Sequence, residues 1–166
     1  IVITGDVKGR DLSLVRHYAA KLAAEKPLRR QTLERYLSLI RDIPGLTADV
    51  QLLNLAAPGA VRLVLALKHK DLDFGLVVNN HGVASLGRTQ MQASVTANSS
   101  LRQGDQTRLT VSTPTDIDRF QYYALAHSTP LGRDGMQLSA NAGYLKTRPA
   151  SIPVRGEASS AGITLS

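Results

Sequence analysis

The hydrophobic period of this chain changes near residue 70. Before that point, apolar residues recur at helical spacing in two segments flanked by short β-rich runs. After it, apolar and polar residues alternate in segments separated by turn residues. A period near 3.6 places apolar side chains along one stripe of a helix, and a period of 2 places them on one face of a sheet. The pattern predicts an α+β module over residues 1–70 followed by an antiparallel β-meander over residues 71–166.

Ile1-Val2-Ile3 reads as a short strand ended by Thr4-Gly5-Asp6. Asp11 is placed to cap a helix whose apolar face carries Leu12, Val15, Ala19, Leu22 and Ala23. Pro27 ends or interrupts that helix. A second helix, from about Arg29 to Arg41, presents Leu33, Tyr36, Leu37 and Ile40. Ile43-Pro44-Gly45 stops it, because proline cannot donate to the helical ladder. Strands are expected at about Ala48–Leu55 and Val61–Lys68, with Pro58-Gly59 as a tight hairpin connection. The predicted order is β-α-α-β-β, with both helices on one face of a three-stranded sheet.

Downstream, Leu72, Phe74, Leu76 and Val78 alternate with Asp73, Gly75, Val77 and Asn79. Met91, Ala93, Val95 and Ala97 alternate with Gln and Ser/Thr residues, and Leu109 and Val111 continue the pattern. A strand from Phe120 to Ser128 is expected to end at Pro130, and Met136 to Tyr144 alternate again. A Pro/Gly/Ser-rich loop then leads to a last strand at Gly162–Ser166. Small apolar residues opposite uncharged polar ones suit a barrel whose apolar face meets lipid, but they also suit a soluble sheet whose apolar face meets a core. A soluble sheet requires Met91, Val95, Leu109 and Leu138 to form a water-excluded core. With two Phe, five Tyr and no Trp, an aromatic girdle is thin, and periodicity alone leaves both architectures open.

Charge changes the picture for the first module only. Residues 1–70 hold 12 Lys/Arg against 6 Asp/Glu, a net of +6; residues 71–166 hold 8 against 7, a net of +1. Arg29, Arg30, Arg35 and Arg41 supply much of the excess. They read as a solvated helix face, with an acidic partner or lipid headgroups as the functional alternative. No nucleic-acid motif or aromatic stacking platform accompanies the charge. With no cysteine, neither disulfides nor thiolate metal sites are possible. No apolar run approaches the ~18 residues of a spanning helix. His17, His69, His81 and His127 show no ligand spacing, and Asp116-x-Asp118 lacks the Gly and Glu of a calcium loop. Asp105 after Gly104 reads as a turn residue. No catalytic motif is present, so enzymatic activity is not expected. The start at Ile1 and the strand-like end at Ile163–Ser166 suggest a fragment of a longer processed protein.

A set of short motifs, kept in order, adds a resemblance. Pro27-Leu28, Leu33-Glu34-Arg35-Tyr36-Leu37, Asp42-Ile43-Pro44-Gly45-Leu46 and Ala57-Pro58-Gly59 resemble the second polypeptide-transport-associated (POTRA) domain of two-partner secretion transporters. These are the haemolysin-activator and haemagglutinin-transporter type of the Omp85 superfamily. The likeness continues through Asn79-Asn80-His81-Gly82 with Leu86-Gly87, Gly104-Asp105, and Pro130-Leu131-Gly132 with Gly135, at what are barrel strands and turns in that family. It implies a periplasmic POTRA domain over 1–70 and the first five or six of sixteen transmembrane barrel strands over 71–166, in a Gram-negative outer membrane. It also implies capture of the N-terminal secretion domain of a large exoprotein, followed by passage of the unfolded chain outward without ATP. Val154-Arg155-Gly156 is superficially similar to an Arg-containing signature of the family's inward loop. It lies too early and is followed by Glu157 instead of an aromatic, so that role is not carried over.

An exposed sheet edge invites strand addition, the plain alternative being an edge that is blunted or covered. The expected partner groove lies between the second helix and the strand near Val50, Gln51, Leu52 and Leu53, with Arg35, Tyr36 and Arg41 on one rim. Tyr36 equally suits plain core. Alternatives to exoprotein secretion are an Omp85 protein that inserts barrels or exports polysaccharide, and a soluble β-rich binding protein. The partial barrel, in water, is expected to pair with another copy, or to rearrange, to hide its apolar face and edges.

Overall fold

The computed structural model describes residues 1–6, 10–55, 61–132 and 134–166, the side chains of 6, 10 and 11 excepted. The element order is β1 (Val2–Asp6), α1 (Arg10–Ala24), α2 (Arg30–Arg41), β2 (Leu46–Asn54), β3 (Val61–His69), β4 (Leu72–Asn79), β5 (Gln90–Asn98), β6 (Gln106–Pro114), β7 (Phe120–Leu131), β8 (Met136–Thr147) and β9 (Gly156–Leu165). The strands form two sheets, one of order β1-β3-β2 and one of order β4-β5-β6-β7-β8-β9. Two residues, Lys70 and Asp71, pass from the last strand of the first sheet to the first strand of the second.

The helix periods and the sheet alternation meet in one core. Leu14, Val15, Tyr18 and Leu22 of α1 and Ile40 of α2 pack on Leu63, Leu65 and Leu67 of β3, with Ile43 and Leu46 closing one end. Alternation along β3 is strict: Leu63, Leu65 and Leu67 are buried, whereas Ala66 and Lys68 on the other face are exposed. Burying a leucine side chain contributes about 1.5–3 kcal/mol, so β3, central in its sheet, supplies much of the module's stability. β3 is antiparallel to β2 and parallel to β1. The β2–β3 pairing matches the expected hairpin. Its expected Ala57-Pro58-Gly59 connection lies outside the described residues.

Several boundaries differ from the sequence expectation. β1 does not stop at Thr4: Gly5 and Asp6 still pair with Leu67 and Lys68. Asp11 lies inside α1, which begins at Arg10, so it is not the residue preceding the helix. β7 runs through Pro130, which stands opposite Gln137, and the turn follows at residue 132. The last strand begins at Gly156, not Gly162; Ala158, Ser159, Ser160 and Ala161 have weak strand preference but pair along β8.

The second sheet is antiparallel throughout, and its register stacks like with like. Phe74, Val95, Leu109, Leu125, Ala142 and Ala161 stand opposite one another in a single row across all six strands. The adjacent row on the other face reads Gly75, Ser94, Thr110, Ala124, Gly143 and Ser160. Opposite positions share a face, so the sheet has an apolar face and a largely uncharged polar face.

Candidate functional site

Two features stand out as surfaces for interaction: the β2 edge of the three-stranded sheet, whose other edge is β1, and the apolar face of the six-stranded one. β2 pairs with β3 on one side only, and among the described residues no strand occupies its other side. An edge strand carries unpaired backbone N–H and C=O groups. α2 packs beside β2.

The structure separates the residues expected to form the groove. Val50 is half-buried against the core, and Leu52, on the same face of β2, is 55% exposed. Gln51 and Leu53 alternate onto the opposite, exposed face of the sheet. Tyr36 is half-buried; its ring lies 5.9 Å from that of Tyr18, so it belongs largely to the core. Arg35 is exposed on α2. Arg41, at the end of α2, lines a different cleft with Lys70, Asp73 and Arg108 at the junction between the sheets. The basic character of the helix surface is partly paired. Arg29 lies 3.6 Å from Glu25, and the Arg30 Nε donates to Glu34 at 2.7 Å. The latter hydrogen bond holds the Arg30 guanidinium above its ordinary pKa.

An apolar cleft of about 700 Å³ opens at the far end of β2, where Leu52 meets Leu28, Leu33, Val61 and Ile1. Leu28 and Val61 are exposed. Sequence reasoning missed this cleft because its residues come from separate elements; the one signal was the apolar Leu28 directly after the helix-ending Pro27.

At the junction, the module rests on the turns at one end of the six-stranded sheet. The Gln103 Nε2 donates to the Ser13 Oγ at 2.7 Å, and the Lys70 N–H donates to the Gly45 carbonyl at 2.9 Å. The Asn98 Nδ2 donates to the Lys70 carbonyl at 2.9 Å. The β5–β6 turn is organised by Asp105, fully buried, whose Oδ2 accepts the N–H groups of Leu101 and Arg102 at 3.0 and 2.8 Å. This is the local turn role that its sequence position implies.

The apolar face is uncovered. Phe74 is 71% exposed, and Val95, Leu109 and Leu125 in its row are exposed as well. Met91 and Leu138 are only half-buried, so the residues a soluble sandwich would enclose form no closed core. Tyr123 and Tyr144 stand opposite each other toward the end of this face farthest from the helical module. On the polar face, the Arg108 Nε donates to Thr96 at 3.1 Å.

No helix among the described residues is long and apolar enough to cross a membrane, which leaves strands untouched. Among the described residues no group of three His, Asp or Glu side chains converges as a metal site. The His127 Nδ1 shares a hydrogen bond with the Thr107 hydroxyl, and the His69 Nδ1 lies 2.9 Å from Asp71.

No family model and no curated protein matches the sequence. Among solved structures, the crystal structure of BamA from Haemophilus ducreyi lacking POTRA domains 1-3 is similar, with a TM-score of 0.54 and 17% identity. The alignment covers 99% of this chain and 32% of that one, so this chain spans about a third of its length. The likeness is one of fold: a small α+β module followed by antiparallel strands.

Proposed function

We propose that this chain is part of an outer-membrane transporter of the two-partner secretion type. Residues 1–70 capture the N-terminal secretion domain of a large exoprotein in the periplasm, and residues 71–166 contribute strands to the transmembrane barrel that passes it outward. The work is recognition and conduction, without catalysis or a cofactor. The observation that carries this reading is the uncovered apolar row from Phe74 to Ala161, set on a sheet that directly follows a module with an open edge at β2. Apolar side chains turned outward with polar ones behind them are the pattern of a strand wall in lipid. A free strand edge beside an apolar cleft fits an extended peptide that adds to the sheet and seats alternate side chains. A soluble β-rich protein would bury the same row.

A second reading has the similarity to BamA in its favour: an Omp85-type protein that inserts barrels into the outer membrane. Deletion of residues 1–70 from the full-length parent in its native cell separates the two. Loss of one large protein from the medium, with the barrel still in the outer membrane, supports exoprotein secretion and names the cargo. A general fall in outer-membrane proteins supports barrel insertion. Unchanged secretion and an unchanged outer membrane would overturn both.

A further inference from the structure

We infer that the cleft at the outer end of β7, β8 and β9 binds a phosphate-bearing lipid headgroup. The inference rests on the proposed lipid contact of the apolar face and on the helical module lying on the periplasmic side. The cleft, about 730 Å³, lies between the segment after β6 and the segment after β8, at the end of the sheet opposite the module. Three guanidinium groups line it, those of Arg119, Arg148 and Arg155. They come from separate strand ends. The Arg148 N–H donates to the Arg119 carbonyl at 2.8 Å, which sets these two residues side by side as an extension of the β7–β8 ladder. Like charges on neighbouring strands destabilise a sheet unless an anion joins them.

The carboxylates of the cleft do not satisfy all three arginines. Asp116 accepts from the Arg119 Nε at 2.7 Å. Arg148 and Arg155 are exposed and make no ion pair among the described residues. Asp118 also lines the cleft, leaving it one positive charge in excess. Arginine forks match a phosphate bidentately, and a phosphomonoester carries about −1.5 to −2 charges near neutrality.

What lies beneath argues for a lipid over a free ion. Alternation along β8 brings Arg148, Lys146 and Tyr144 to successive positions of the apolar face; Glu157 stands opposite Lys146 and offsets its charge, so the arginines above carry the excess, and Tyr144 pairs with Tyr123. Below the tyrosines runs the row of Leu125, Leu109, Val95 and Phe74. Cationic groups, then amphipathic rings, then apolar side chains reproduce the polarity profile of an anionic amphiphile at a membrane surface.

The test uses the full chain in zwitterionic detergent micelles, with its fold followed by circular dichroism. Mixed micelles of lipid A, a glycolipid bearing phosphomonoesters, are titrated in by calorimetry, and then its dephosphorylated form. The expected result is saturable binding of the phosphorylated lipid, weakened at least about tenfold in the double variant Arg148→Ala/Arg155→Ala with an unchanged spectrum. Arg148→Lys/Arg155→Lys should retain part of the affinity. Equal binding of the dephosphorylated lipid, or full affinity in the alanine variant, would overturn the inference. Competition by inorganic phosphate alone, at the affinity of the lipid, would make the site an anion site and remove the lipid from it. A chain that does not enter micelles would sink the reading of the apolar face, and this inference with it. A chain that enters them without discriminating the lipids would sink this inference alone.

Discussion

Gly45 and Asn98 approach so closely that a methyl group on Gly45 would lie 2.6 Å from the Asn98 Nδ2 and equally near the Lys70 carbonyl oxygen. Gly45 has φ +74°, in the left-handed region that side chains disfavour. Gly132, at φ +77°, has the same conformation with nothing within 4 Å of a built Cβ. The two glycines separate backbone strain from steric fit. Gly45→Ala is expected to destabilise the chain by about 1–3 kcal/mol more than Gly132→Ala, because it also wedges the module off the sheet. Urea unfolding of both variants checks this; equal losses would mean that the close approach contributes nothing.

Val95, in the middle of the apolar row, is the position at which lipid contact is most directly tested. Val95→Arg in the parent should cost about 2–4 kcal/mol in the bilayer and block assembly. Gln92→Arg, exposed on the polar face of the same strand, should assemble. Fractionation of the outer membrane reads both, and failure of both or neither would break the assignment of faces.

In water the same row should drive self-association. Phe74→Asp together with Leu76→Asp, at side chains 71% and 75% exposed, removes apolar surface without emptying any core. Light scattering should show smaller particles for the double variant than for the parent chain at equal concentration. An unchanged particle size would exclude this face as the contact.

Leu65 in the module has no exposure at all, whereas Leu52 is half-exposed in the apolar cleft. Leu65→Ala is expected to cost about 2–5 kcal/mol of stability. Leu52→Ser should change stability little and, on the proposed function, weaken binding of an exoprotein secretion domain, measured by pull-down. Undiminished capture by that variant would remove the cleft from the partner site.

Asp105 holds its turn through two backbone N–H groups. Asp105→Ala leaves both without their acceptor and is expected to cost about 1–3 kcal/mol, read by thermal unfolding. Asp105→Asn, which keeps one acceptor oxygen, should lie between. A stability loss of the same size in both variants would mean that the charge, not the hydrogen-bond geometry, is what the turn requires.

The architecture was legible wherever one period ran long enough. Leu33, Tyr36, Leu37 and Ile40 announce α2, and Phe74 to Val78 announce β4, because a single face repeats without interruption. The sequence shows only the end of β9 because Ala158 to Ala161 alternate nothing; only the β8 ladder holds them extended. Pro130 reads locally as a breaker but is tolerated near a strand end, beside the turn. That β3 is central and leaves β1 and β2 as the two edges was not legible, since it depends on β1 running parallel to β3, and pairing direction leaves no mark in a five-residue strand. The partner residues scattered for a similar reason. A run such as Val50–Leu53 is contiguous in sequence, but a strand sends successive side chains to opposite faces.

The link between the sheets is two residues long, Lys70 and Asp71. A tether so short has almost no slack, at roughly 3.3–3.6 Å per residue when fully extended. Tension applied at β2 passes through the β2–β3 ladder, along β3, and straight into β4. β4 is the outermost strand of its sheet, held on one flank only. The module is thus a handle fixed to an edge strand of the second sheet, and a pull on it reaches that sheet first at β4.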